Sequence, residues 1–208
     1  MGSAVVNIWS AFGHEWRLHG YWMWINFVLA VAPAVGGFVL YHWWRYLYGV
    51  RWLLLVAVGL LLPNSPYVVT DLIHVHWMLA TAATRLDRGA AMALLLVLIA
   101  SGVMSYAYNL HLARRIMRRR GWSRRRRAAV EISIDGICAV GVALGRISRL
   151  NSWDILRPQH LAHGLAVLAT DPRSLAFAAI IVVLADLPVD RLASGAVHTL
   201  QARLRHPH

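Results

Sequence analysis

Long apolar runs separated by short polar stretches set the pattern of this chain. A helix needs about 20 mostly apolar residues to cross a hydrocarbon core of ~30 Å. Residues 22–41 and 90–110 carry no charge and meet that length. Residues 128–145 are long enough although they hold Glu131 and Asp135, and residues 173–188 form a shorter run with Asp186 near its end. Residues 52–79 are apolar but interrupted by Pro63-Asn64-Ser65-Pro66. Two prolines three positions apart remove two backbone donors and obstruct a regular helix. The pattern predicts a half-helix ending at Leu62, a break, and a second half-helix from Pro66 to Leu79, with Ser65 as N-cap. A kinked continuous span and a re-entrant half-helix both satisfy it. The chain thus reads as one all-α integral membrane domain, residues 1–208, with about five spans, the second of them broken.

Composition sharpens this class. The chain of 208 residues is 59% hydrophobic and 14% charged, yet its formal net charge is +12. A soluble domain is typically about 45–50% apolar and about 25% charged. A disordered basic tail lacks such apolar mass. The single Cys138 excludes an internal disulfide framework and a Cys-based zinc cluster. Trp22, Trp24, Trp43, Trp44, Trp52, Trp77, Trp122 and Trp153 lie at or near segment ends, as expected of an aromatic belt at the headgroups.

The positive charge is concentrated. All 21 basic residues are Arg, and nine of them, the first Arg114 and the last Arg127, fall in residues 114–127 without an acid. Short Arg-rich loops stay cytoplasmic. Alternation then puts the N-terminus outside, residues 64–88 and 147–172 toward the outer face, and the tail 189–208 inside, in a bacterial inner membrane. Arg146, Arg149, Arg157 and Arg173 fall on the outer side against this rule, with Asp154 and Asp171 as nearby partners. The run from Arg114 to Arg127 is expected to serve as a topology signal or to hold anionic lipid headgroups, at ~1 kcal/mol per residue. Its position between two spans disfavours nucleic acid.

Two stretches put polar groups among apolar ones. In residues 62–77, Tyr67, Asp71 and His74 fall on one helical face that Met78 continues just beyond, Thr70 borders it, and His76 points away. Asp71 and His74 can share a proton, a divalent metal or a hydrogen bond. In residues 144–158, Arg146, Arg149, Asn151, Ser152 and Asp154 follow the fourth span. The expected topology brings both stretches to one face, where an Arg paired with Asp71 or Asp154 offsets the cost of a lone charge. Asp71, His74 and Asp154 are the candidates for catalysis or metal binding. Asn64, Tyr67, Thr70, Arg146, Arg149 and Asn151 are the candidates for ligand binding. A weaker group, Glu131, Asp135, Asn109, His111 and Asp186, reads best as structural pairing, with Glu131 reaching Arg127 and Asp186 reaching Arg191.

The strings LPNSPYVVTDLIH and LGRISRLNSWD resemble the two signature stretches of the bacterial membrane-protein family called domain of unknown function 1361. The resemblance implies a multi-spanning membrane protein in which Asn64, Pro66, Tyr67, Thr70, Asp71, His74, Arg146, Asn151, Trp153 and Asp154 belong together. It implies no activity, substrate or cofactor. His76 and the long Arg run lie outside the pattern.

Three function classes stay open. The outer cluster is a small-ligand, lipid-headgroup or metal site, with or without catalysis. Alternatively, the broken helix belongs to a transporter component, or the polar residues only lock helices together in an assembly protein, with oligomers open in each case. Eleven His leave a haem role conceivable, although no pair within one segment has a diagnostic spacing.

Overall fold

The computed structural model describes residues 2–150, 154 and 157–184, and among these it contains helices and no strand. Asp186, Arg191 and the tail 189–208 lie outside the described residues. The helices are α1 Gly2–Trp43, α2 Arg51–Leu61, α3 Asn64–Tyr67, a 3-10 segment Val68–His74, α4 Val75–Thr81, α5 Arg85–Arg119, α6 Arg124–Ile147 and α7 Pro158–Thr170. The last, α8, covers Pro172–Leu184. Four spans are long and apolar enough to cross a membrane: Ile8–Trp43, Arg51–Thr81, Arg85–Arg119 and Arg124–Ile147. A fifth arises if α7 and α8, bent by 98°, count as one. No more than 44% of any span's most apolar window is buried within the chain, so most of that surface faces outward, where lipid would cover it.

The second span lies antiparallel along α1 in a regular register. Gly36 meets Val58, Ala30 meets Ser65, Asn26 meets Asp71, Trp22 meets His74 and His19 meets Trp77. Helix α5 runs parallel to α1, joined by His14, Glu15 and Asp87 at one end and by Gly37 against Asn109 at the other. Helix α6 returns antiparallel to α5 and packs its small residues on the break: a Cβ at Gly141 would lie 2.6 Å from Pro63. A Cβ at Gly102 of α5 would come within 2.3 Å of the Ser65 carbonyl oxygen, so only glycine permits this approach. The break is therefore gripped by α1, α5 and α6.

The break itself is compact. Leu62, Pro63, Tyr67, Val68, His74 and Val75 all keep right-handed helical dihedrals. The chain changes from α to 3-10 winding rather than unwinding, and Arg51–Thr81 continues as one span. Ser65 is not the N-cap that the sequence predicts. It is buried inside α3, its Oγ donating to the Ala30 carbonyl at 2.7 Å and lying 3.2 Å from Ser105 Oγ. With helical residues on both sides, Ser65 has no helix start to cap, and its hydroxyl ties three helices instead.

The Arg run is mostly helix rather than loop. It forms the end of α5 and the first turn of α6, joined at Gly121, which has φ 68°. Gly121 N–H donates to the Arg118 carbonyl at 3.0 Å and Trp122 N–H to the Met117 carbonyl at 3.1 Å, closing α5 in a left-handed glycine cap. Glu131 pairs with Arg114 at 3.1 Å rather than with Arg127, because the adjoining helix presents its cation directly across the interface. Asp135 accepts a short bond from the Tyr106 hydroxyl. Residues 158–170, expected within an outer loop, form α7, whose 13 residues span only about 20 Å and fall short of a full crossing.

Candidate functional site

One cleft of about 650 Å³ lies where α1, the broken span and the end of α6 meet. That volume is within the range of small-molecule sites, roughly 300–1,000 Å³. Its polar wall is Asn26, Asn64, Tyr67, His74, Arg146, Arg149 and the buried carboxylate of Asp154. Leu29, Leu60, Ile73, Val140 and Leu144 form the apolar part.

The 3-10 winding decides which motif residues reach this cleft. At three residues per turn, Val68, Asp71 and His74 stack on one line, whereas the α-helical spacing groups Tyr67 with Asp71. Asp71 turns inward. It is 1% exposed, and its Oδ2 accepts from Asn26 Nδ2 at 2.8 Å. His74 sits one turn on, Nε2 3.9 Å from Asp71 Oδ1, with its ring against Trp22 at 5.0 Å. Thr70 is buried, its hydroxyl donating to the Tyr67 carbonyl at 2.7 Å. Neither Asp71 nor Thr70 lines the cleft. Asn64 Nδ2 donates to the Leu61 carbonyl at 2.9 Å and closes the break.

From α6, Arg146 reaches the broken span and donates through Nη2 to the Thr70 carbonyl at 3.3 Å. Of the two expected pairings, an Arg with Asp71 or with Asp154, the second forms; Arg146 lies within electrostatic reach of Asp71 but closes no salt bridge with it, the carboxylate accepting from Asn26 and the guanidinium donating to a backbone carbonyl. Asp154 pairs with Arg157 at 3.7 Å. Arg149 follows the end of α6 with φ 51°, the one left-handed non-glycine residue among those described. Arg149 directly follows the α6 C-cap Ser148, where helices commonly end in a left-handed residue that is usually glycine, and an L-residue there costs about 1–2 kcal/mol. Among the described residues, neither Arg146 nor Arg149 comes within salt-bridge distance of a carboxylate oxygen. Asn151 lies outside the described residues.

The structure thus places Asn64, Tyr67, His74, Arg146, Arg149 and Asp154 around one space, with Asp71 and Thr70 behind its wall. Asp71, His74 and Asp154 do not bring three ligand atoms close enough for one ion; among the described residues, the group that does is His14, Glu15 and Asp87. Sequence reading missed Asn26, Glu15 and His19. Their signal is present: Glu15, His19, Trp22 and Asn26 follow spacings of four, three and four, a single face of α1. A span assumed to begin at residue 22 cuts that face in two.

A family model described as "Protein of unknown function (DUF1361)" matches residues 24–185. No curated protein and no solved structure matches the chain.

Proposed function

This chain belongs to the family of unknown function DUF1361, and we propose that its cleft binds a small anionic group, such as the phosphate of a lipid headgroup. The observation that carries this reading is the pair Arg146 and Arg149, both lining a largely apolar cleft and neither closing a salt bridge with a carboxylate among the described residues, although Arg146 lies within electrostatic reach of Asp71. Guanidinium forks bind phosphate and carboxylate oxygens bidentately, and do so more strongly where water is partly excluded. The Thr70 carbonyl occupies one Arg146 nitrogen and aims the rest of the fork. Asn26, Asn64 and Tyr67 supply neutral polar groups, and Leu29, Leu60 and Ile73 offer a surface for an attached chain.

A locking role applies to the buried half of the motif. Ser65 joins Ala30 and Ser105, and Asp71 joins Asn26, so these residues hold helices together beneath the cleft. Binding and locking divide the motif between its two faces.

The test is binding of short-chain phosphatidylglycerol, phosphatidylcholine and inorganic phosphate to the detergent-purified chain by native mass spectrometry. Phosphatidylglycerol is expected to bind at least tenfold more tightly than phosphatidylcholine, and Arg146→Gln with Arg149→Gln to remove the difference. Phosphate competing alone would assign the site to a free anion. Equal binding of all probes by the native chain and the double variant would sink the reading.

A further inference from the structure

We propose that His14, Glu15 and Asp87 form a divalent transition-metal site at the end of the bundle where α5 begins, with His19 against the other oxygen of Glu15. One ligand atom from each of His14, Glu15 and Asp87 lies within 4.8 Å of the other two. Ligands at about 2.1 Å from a common ion stand roughly 3–4 Å apart, so a small closure brings this set into coordination.

Burial and pairing argue for a cation here. Glu15 is 0% exposed and Asp87 is also buried. Two carboxylates this close repel each other strongly out of water unless a positive charge or a proton lies between them. Among the described residues, no Arg pairs with either of them. The partners of Glu15 are imidazoles on either side: His14 Nδ1 is 3.4 Å from Oε1, and His19 Nε2 is 3.4 Å from Oε2. These separations exceed the usual hydrogen-bond length of about 2.9 Å. His19 is 1% exposed, yet neither of its ring nitrogens has a hydrogen-bond partner, and Glu15 Oε2 has none either. Such buried orphan atoms are rare in folded proteins, and a cation beside Glu15 would satisfy its free carboxylate oxygen and at most one His19 nitrogen.

The surroundings fix the ligands as a metal site requires. Asp87 is the third residue of α5, and its Oδ2 accepts from Thr84 N–H at 3.0 Å and Thr84 Oγ1 at 2.9 Å. This capping box holds the carboxylate in one orientation, as outer-shell partners do for ligands. The His19 ring is held edge-on to Trp77, with centroids 4.7 Å apart. The donor set is mixed nitrogen and oxygen without thiolate. It suits Zn²⁺, Mn²⁺ or Fe²⁺ rather than Cu⁺, and its imidazole disfavours Ca²⁺ and Mg²⁺.

The experiment uses the full chain purified in detergent through a tag without histidine, stripped with chelator and titrated separately with Zn²⁺, Mn²⁺ and Co²⁺. Bound metal is counted by elemental analysis, and the Co²⁺ complex is read by its visible absorbance. One equivalent per chain is expected, with affinity at least tenfold lower in Glu15→Gln and in His14→Gln. His14 is 41% exposed, so its replacement leaves the packing intact. Asp87→Asn keeps an oxygen for Thr84 and is expected to lose metal while still melting cooperatively. Arg146→Gln is expected to bind metal normally, so failure of the anion cleft and failure of this site are read separately. A folded, stripped chain that takes up none of the three ions overturns the proposal, as does uptake that all three ligand variants leave unchanged.

Discussion

Asn26 Nδ2 donates to Asp71 Oδ2 at 2.8 Å, across 45 positions of sequence, and is the contact that fixes the 3-10 segment against α1. A carboxylate buried in a bundle needs such a donor, because an unsatisfied charge there costs several kcal/mol.

Asn26→Leu leaves that carboxylate without its donor. It is expected to destabilise the chain by about 3 kcal/mol, while Asp71→Asn, which keeps an amide pair, costs about 1 kcal/mol. Reversible unfolding in mixed detergent micelles would measure both. Equal losses in the two variants would show that the bond matters less than the volume.

Gly102 and Gly136 form a matched pair. A Cβ at Gly102 meets the Ser65 carbonyl oxygen at 2.3 Å, and one at Gly136 meets nothing within 4 Å. Gly102→Ala is expected to cost about 1–3 kcal/mol through overpacking. Gly136→Ala is expected to gain about 0.5–1 kcal/mol through helix propensity. Melting temperatures that move in the same direction would contradict this packing.

Arg149→Gly removes the left-handed strain at φ 51° together with the guanidinium. Stability is expected to rise by about 0.5–1 kcal/mol while anion binding falls. A variant both less stable and equally able to bind would remove Arg149 from the site.

The cap at Gly121 joins two helices that carry the Arg run. A reporter fused directly after Gly121 is expected to be active on the cytoplasmic side. Activity on the opposite side reverses the assignment of every helix end.

Much of this helical architecture is legible in the sequence, because apolar length reports directly on a membrane solvent. The convergence of Asn64, Tyr67 and His74 with Arg146 and Arg149 follows from the alternation of successive spans, whichever way the chain faces. The inward turn of Asp71 does not, because it depends on a local change from 3.6 to 3.0 residues per turn that no periodicity announces. Glu15 and His19 escaped for a different reason. A span is searched for where charge is lacking, whereas α1 continues for 42 residues, roughly 63 Å, and carries its buried polar face beyond the apolar window. Helix α7 escaped because a 13-residue apolar stretch is too short to count as a crossing.

The antiparallel register of α1 against the broken span bears on how the chain enters a bilayer. Asn26 finds its partner Asp71, and the Ser65 hydroxyl finds the Ala30 carbonyl, only when α1 and the next span to leave the ribosome come together. A lone α1 would enter lipid with Asn26 unpaired, whereas a helical hairpin of the two carries these pairs already closed. Insertion is thus favoured for the hairpin as a unit, and α5, threading parallel to α1 afterwards, seals it with Gly102 at the break and Asp87 at the far end.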